Sequence, residues 1–336
     1  MTVETKISER ANRAIRNRVF PGCVVGIVNK EGRRDVWPFG RFTYDQNSEN
    51  VTENTIYDTA SVTKSIPTAS LALLLIGERK LNLSDKVALY LPELRNHHDA
   101  TIEDLLRYRV QGTPMSLLKD KSPDKIVSYV FEQGFEKSPG ESRYTNLPAF
   151  LLGLIVERVG GASLNAQAKE RLFEPLEMNK TAFFLNEQPR RLLISPTEID
   201  GGTEICGIPH DESARVFAKE GRSVGHAGVF STAPDLLNFL EALLIGKYVF
   251  TKPIIGGAEK GLGWQVNDPR FMGKYAGERT FGKTGFTGCS VVCDVERGIG
   301  FIILSNRTYP RRPRSDDAIN VFRRDIADIV FENIPE

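Results

Sequence analysis

Near the start of the chain, Ile7, Ala11, Ala14, Ile15 and Val19 recur at helical spacing and predict a first amphipathic helix over residues 5–19. A β-rich run, Cys23–Val28, follows it. Lys30-Glu31-Gly32 then reads as a turn and Asp35–Phe39 as the returning strand. From Ser61 to Leu81 the pattern is a helix with a continuous apolar centre. Pro67 inside it removes a backbone donor and predicts a kink or an irregular first turn. The chain then reads as mostly helical to about Phe184, with a second strongly apolar helix over Leu147–Val159 that stops at Gly160-Gly161. After about Leu192 glycines become frequent and strand character returns. Arg279–Thr284, Cys289–Asp294 and Gly300–Ser305 predict three successive antiparallel strands, the last two joined at Val295–Gly298. A closing helix is marked by Ser315 as its cap, Asp316 and Asp317 in its first turn, and an apolar stripe of Ile319, Phe322, Ile326, Ile329 and Val330. This order predicts an α/β (α+β) fold. An antiparallel sheet is assembled from both ends of the chain, flanked by terminal helices, with a mostly helical domain inserted. The expected boundaries are 1–60 together with 215–336 for the sheet domain and 61–214 for the helical domain, with the active site at their interface.

Composition narrows the class without naming a chemistry. The chain has 336 residues, 40% hydrophobic and 26% charged, which excludes a disordered chain, a collagen and a coiled-coil rod. Lys+Arg 44 against Asp+Glu 43 gives a net charge of +1, so no whole-chain field draws it to nucleic acid or an anionic membrane. Four cysteines do not make a disulfide scaffold. The N-terminus lacks the apolar core of a secretory signal, and the run Leu71–Ile76 is short for a bilayer. The expectation is a cytoplasmic protein without a membrane or nucleic-acid partner.

Three motifs compete for the chemistry. Gly277-Glu278-Arg279-Thr280-Phe281-Gly282-Lys283-Thr284 fits the phosphate-loop pattern, but that motif needs a helix at its Lys-Thr, and a β run follows here. Gly221-Arg222-Ser223-Val224-Gly225 fits the G-x-S-x-G elbow. Its fold orders Ser, acid, His along the chain, and the last histidine, His226, lies three residues after Ser223 with no acid between. The third is Ser61-Val62-Thr63-Lys64 with Tyr144-Thr145-Asn146 and Lys283-Thr284-Gly285. Ser116…Lys119 and Ser122…Lys125 share the S-x-x-K spacing but lie in a polar stretch broken by Pro114 and Pro123. Ser61 instead opens the apolar helix, where i and i+3 share a face and Lys64 can reach it.

With these triplets the chain resembles the penicillin-recognising serine hydrolases, in the class C β-lactamase-like branch of β-lactamases, D-amino-acid peptidases and carboxylesterases. Further segments carry the resemblance: Lys80–Asp85 with Tyr90–Glu93, Thr101–Leu106, Pro139-Gly140-Glu141, Phe173–Met178, His210-Asp211-Glu212, Gly225–Thr232 and Gly285–Gly288. Together they cover most of residues 20–310. Three positions depart from the branch's habits. Many esterase-like members carry His where this chain has Lys283, Tyr108–Gly112 replaces a His-Thr-Ser-Gly type turn, and Thr145 replaces a commoner Ser.

The resemblance implies acyl transfer through a Ser61 acyl-enzyme on small esters or amides, as in an esterase, a β-lactamase or a D-peptidase. Lys64 and Tyr144 are the candidate bases, and Lys283 is the second cation near Tyr144. Asn146 would orient Lys64 and a substrate amide. The backbone N–H groups of Ser61 and Phe286 would form the oxyanion hole, and Gly285, beside Thr284, would let substrate approach the strand edge. No cofactor and no metal is required; the expected partner is the small-molecule ester or amide substrate. His210 and His226 read as loop-organising hydrogen-bonders. Arg307 is a candidate contact for an anionic substrate, and Phe286, Tyr309 and Trp264 are candidates for the acyl pocket or for core packing. The alternative is a catalytically silent penicillin-binding or scaffold protein on the same fold.

Overall fold

The structure, a computed structural model, describes residues 1–184, 193–247 and 261–333; Leu192, where the sequence places its change of texture, lies outside them. Its main sheet has six antiparallel strands: β1 (Gly22–Asn29), β2 (Arg34–Gly40), β3 (Gln265–Val266), β4 (Thr280–Thr284), β5 (Ser290–Asp294) and β6 (Ile299–Ser305). Their order is β2-β1-β6-β5-β4-β3, so the N-terminal hairpin closes onto the C-terminal strands through β1 and β6. The pleat then sorts the side chains. Cys23, Val25, Val292, Phe301 and Ile303 face one way, onto the N-terminal helix (Val3–Arg16) and the C-terminal helix (Asp317–Glu332). Val24, Val28, Phe281, Val291, Ile302 and Leu304 face the other way and join the core of the helical region. Lys283 shares the parity of Phe281 and so looks into that second face.

The helix that starts at Ser61 is not continuous. Ala60–Lys64 is a 3₁₀ turn, Ile66 takes non-helical angles (φ −120, ψ 103), and a regular helix runs only over Ser70–Gly77. The irregularity around Pro67 therefore separates the Ser61 turn from the apolar rod behind it. Taken together, Ala60–Gly77 is long and apolar enough to cross a bilayer, contrary to the length read from Leu71–Ile76, but 78% of it is buried inside the molecule as a core element. The second apolar helix, Leu147–Gly160, ends on Gly161 at φ +72, a left-handed cap that suits glycine. At the C-terminal helix Asp316 holds the cap position, and Ser315 still contributes by accepting the Asp317 N–H at 3.0 Å.

Candidate active site

Ser61 stands one residue after Ala60, which is held at φ +48. Asp58 supports this turn from beneath: its buried carboxylate accepts the N–H of Ala60 at 2.8 Å and that of His210 at 2.7 Å. Burial raises the Asp58 carboxyl to about 6 against the pull of those two donors. Thr59 donates its hydroxyl to Val229 O at 2.7 Å, and Thr63 Oγ1 accepts the Val229 N–H, so the Gly225–Thr232 segment braces the turn from the far side.

Lys64, only 1% exposed, places Nζ 2.8 Å from Ser61 Oγ and 2.7 Å from the backbone oxygen of His226. Of the two candidate bases it is the one in hydrogen-bond contact with the serine. Tyr144 is 52% exposed. Its ring lies over both lysines, with its centroid 5.2 Å from Lys64 Nζ and 4.7 Å from Lys283 Nζ. No hydrogen bond joins its hydroxyl to Ser61, Lys64 or Lys283 among the described residues. Lys283 reaches the site from β4 and contacts the Tyr108 hydroxyl at 3.4 Å, with the Tyr108 ring centroid 4.8 Å from Nζ. Burial, then the charge of Lys64, holds the Lys283 ammonium well below the ordinary lysine range.

Asn146 does not contact Lys64. Its Nδ2 donates to Asp211 Oδ2 at 3.1 Å, and the partners of Lys64 are Ser61 and His226. Gly285 has a packing duty of its own. A Cβ there would fall 2.2 Å from the backbone oxygen of Thr59, so its bare Cα lets the Lys-Thr-Gly strand end pack directly on the Ser61 turn. Thr284, half-buried, pairs across the sheet with Ser290.

The aim of one backbone amide follows from this packing. Arg323, on the C-terminal helix, donates to Gly285 O at 2.9 Å and to Cys289 O at 2.7 Å. The Gly285–Phe286 peptide unit is planar and trans, so a carbonyl tied to Arg323 turns the Phe286 N–H to the opposite side. Neither that N–H nor the N–H of Ser61 has an acceptor among the described residues. Two unpaired amide donors beside a serine hydroxyl are the arrangement that stabilises a developing oxyanion.

Several residues find other work. Arg307 is 5% exposed and pairs with Asp316 while donating to Phe286 O at 2.7 Å, so it builds the turn and is committed within the fold. Trp264 is buried between Phe239 and Phe281 and belongs to the core. Tyr309 bonds Glu204, whereas Phe286 is 41% exposed, stacks on His210 and does border the site. His210, lowered to about 4 chiefly by burial and then by Arg312, is neutral at ordinary pH. The phosphate-loop match falls on strand β4, with no helix at its Lys-Thr. Ser223 of the elbow match accepts the Asn165 N–H and lines a separate cavity of about 620 Å³ with Phe150, Gly153 and Phe217. The spacing of motifs did not reveal Asp58, Tyr108 or Arg323. Arg323 left one trace: it stands four residues from Ile319 and three from Ile326, a cation on the apolar stripe.

The profile of the Beta-lactamase family matches residues 10–325. An N-acetylmuramyl-L-alanine amidase of Bacillus subtilis (strain 168) is 26% identical, over 91% of this chain and 81% of the relative. A putative D-alanyl-D-alanine carboxypeptidase of Escherichia coli (strain K12) is 29% identical, over 80% and 72% respectively. Among solved structures, a beta-lactamase/D-alanine carboxypeptidase from Pseudomonas syringae superposes with a TM-score of 0.79 at 19% identity, covering 99% of both chains. The mixed fold, the antiparallel sheet and the profile that spans nearly the whole chain lead to one assignment: this protein belongs to the beta-lactamase family of serine hydrolases.

Proposed function

We propose that the protein hydrolyses small esters or amides by acyl transfer through Ser61. The observation that carries this reading is the 2.8 Å contact between Ser61 Oγ and Nζ of a buried lysine, Lys64, whose other partner is a backbone carbonyl. In its neutral form Lys64 takes the serine proton as Oγ attacks the substrate carbonyl. The N–H groups of Ser61 and Phe286 then receive the negative charge that develops on the carbonyl oxygen. Lys64 returns the proton to the leaving group, and water repeats the sequence on the acyl-enzyme to release the acid and regenerate Ser61. Tyr144, flanked by two lysine side chains, stands at the mouth of this arrangement as a second group for proton traffic. The two curated relatives are named for an amidase and a carboxypeptidase; both names describe amide cleavage, and they support amides as well as esters as substrates.

The test is intact mass after incubation with a fluorophosphonate probe, on wild type and Ser61→Ala. One adduct on wild type and none on the variant is expected, with nitrocefin and p-nitrophenyl butyrate turnover run alongside to sort β-lactam from ester. No adduct on either protein would sink the reading and favour a silent penicillin-binding or scaffold role.

A further inference from the structure

The Gly221–Gly225 segment fits the G-x-S-x-G pattern, yet acyl transfer at Ser61 makes no use of it. It forms one wall of a cavity of about 620 Å³, within the ~300–1,000 Å³ of small-molecule sites. The other walls come from the helix Pro123–Gln133, the helix Leu147–Gly160 and the turn that follows it. None of Ser61, Lys64, Tyr144 or Lys283 lines this cavity. Much of its lining is apolar. Phe150 and Phe217 are buried and meet edge to face with ring centroids 5.6 Å apart, and Val127 adds an aliphatic surface.

Two opposite charges line the same space without pairing with each other. Glu157 is half-buried. Its Oε1 accepts the Leu164 N–H at 2.8 Å, and its Oε2 has no partner among the described residues. Burial raises the Glu157 carboxyl above its ordinary range, against the pull of the Leu164 N–H and of the Arg222 charge. Arg222 lies over the Phe217 ring, 5.2 Å from its centroid, and donates to Asp124 at 2.7 Å. The Asp124 side chain is 87% exposed, so water competes for that ion pair and holds it weak. Arg158, the other cation of the lining, is committed elsewhere: both its terminal nitrogens bond Glu93 at 2.9 Å, and one also bonds Tyr90 O.

An acid and a cation held apart beside aromatic rings complement a molecule that carries both charges and an apolar body. A hydrocarbon or neutral lipid would cover Glu157 and leave it without a partner, at a cost in desolvation. An ammonium group placed there repays that cost, and a carboxylate placed against Arg222 replaces a solvent-exposed partner with a shielded one.

We propose that this cavity is a second binding site, for a free α-amino acid with an apolar side chain. Its ammonium pairs with Glu157, its carboxylate pairs with Arg222, and its side chain packs against Phe150, Phe217 and Val127. The proposal does not depend on acyl transfer at Ser61.

Ligand-observed NMR titrations of the full chain with phenylalanine, in both enantiomers, test it. Two analogues separate the charges: 2-phenylethylamine lacks the carboxylate, and 3-phenylpropionate lacks the ammonium. Phenylalanine is expected to bind in at least one enantiomer, and each analogue about tenfold more weakly, the worth of one charge-assisted hydrogen bond. Glu157→Gln keeps an oxygen for the Leu164 N–H and removes the charge. It is expected to weaken phenylalanine about tenfold and to leave 3-phenylpropionate unchanged. Arg222→Gln is expected to weaken phenylalanine about tenfold and to leave 2-phenylethylamine unchanged. General damage to the cavity would weaken all three ligands in both variants and would not sort them by charge. The proposal is overturned by no binding of either enantiomer, by analogues that bind as tightly as phenylalanine, or by variants that do not sort the ligands in this way. Should a variant fail to melt cooperatively, the ranking of the three ligands on wild type decides alone.

Discussion

Lys283 shows what the site costs the residue that serves it. Its ammonium is 1% exposed, its hydrogen-bond partner is the Tyr108 hydroxyl, and the nearest charge is another cation, Lys64. Tyr108 is equally constrained: it is buried, sits at φ +55, and burial then the nearby Tyr144 push its phenol well above the ordinary range. It therefore offers Lys283 a neutral dipole and not a counter-charge. The sign of the stability effect follows. An unfolded lysine titrates near ~10.4, while folded Lys283 titrates well below that. Between the two values the unfolded chain binds the extra proton, so stability rises with pH across that window; below it the full penalty of the buried charge applies. Lys283→Met is isosteric along the stem and removes that charge. It is expected to melt above wild type at pH 7, with the gap closing as pH rises toward 10, while fluorophosphonate labelling falls at least ~10-fold. Thermal melts of both proteins from pH 7 to 10 read this directly. A variant that melts below wild type at pH 7 would mean that Lys283 is stabilised in place by its aromatic neighbours.

At the scale of elements, the C-terminal helix acts on the site through one side chain. Its stripe of Ile319, Phe322, Ile326 and Val330 docks on the sheet, and Arg323 lies within that stripe. Burial, then Arg307, lowers the guanidinium to about 9, and its acceptors are two backbone carbonyls and Asn320. The helix thus sets the β4–β5 turn and, through the Gly285–Phe286 peptide, the aim of the Phe286 N–H. Arg323→Met keeps the apolar stem and removes one donor from each carbonyl; Gly285 O keeps the Gly288 N–H and Cys289 O keeps the Gly285 N–H. The loss of two hydrogen bonds from a charged donor is expected to cost about 2 kcal/mol in urea unfolding and to slow labelling of Ser61 about tenfold. Normal labelling by a folded variant would show that the turn holds itself. The same helix shows why the sequence was only partly legible. Its stripe and acidic first turn are local periodicities, as is the i, i+3 link of Ser61 to Lys64, and such signals can be counted along a chain. Lys283 and Asn146 came from family resemblance and not from spacing. Asn146 to Asp211, Asp58 to His210 and Arg323 to Gly285 join residues 65, 152 and 38 apart, and no local pattern records which of many polar residues will meet.

Over the whole molecule, the apolar packing runs across the boundaries expected at 60/61 and 214/215. One continuous cluster holds Val24, Phe281 and Ile302 of the sheet together with Leu71, Leu105, Phe150 and Leu172 of the helical region. The site lies on that seam, because Ser61 and Lys64 belong to the helical side and Lys283 to the sheet, with Thr59 and Gly285 in direct backbone contact between them. A seam formed by core, rather than by a wetted domain interface, ties the geometry of the site to global folding. The two tryptophans make this testable. Trp264 sits inside the shared cluster, Trp37 packs on the far face of the sheet, and far-UV circular dichroism is dominated by the helices. Urea unfolding followed by fluorescence and by circular dichroism is expected to give one coincident transition. Acylation of Ser61 that stabilises the seam should then move both curves together. Fluorescence and dichroism curves with separate midpoints would mean that the helices and the sheet keep independent stability, and that the seam opens before either side unfolds. In that case the active site would be the least stable part of the protein and not a product of its common core.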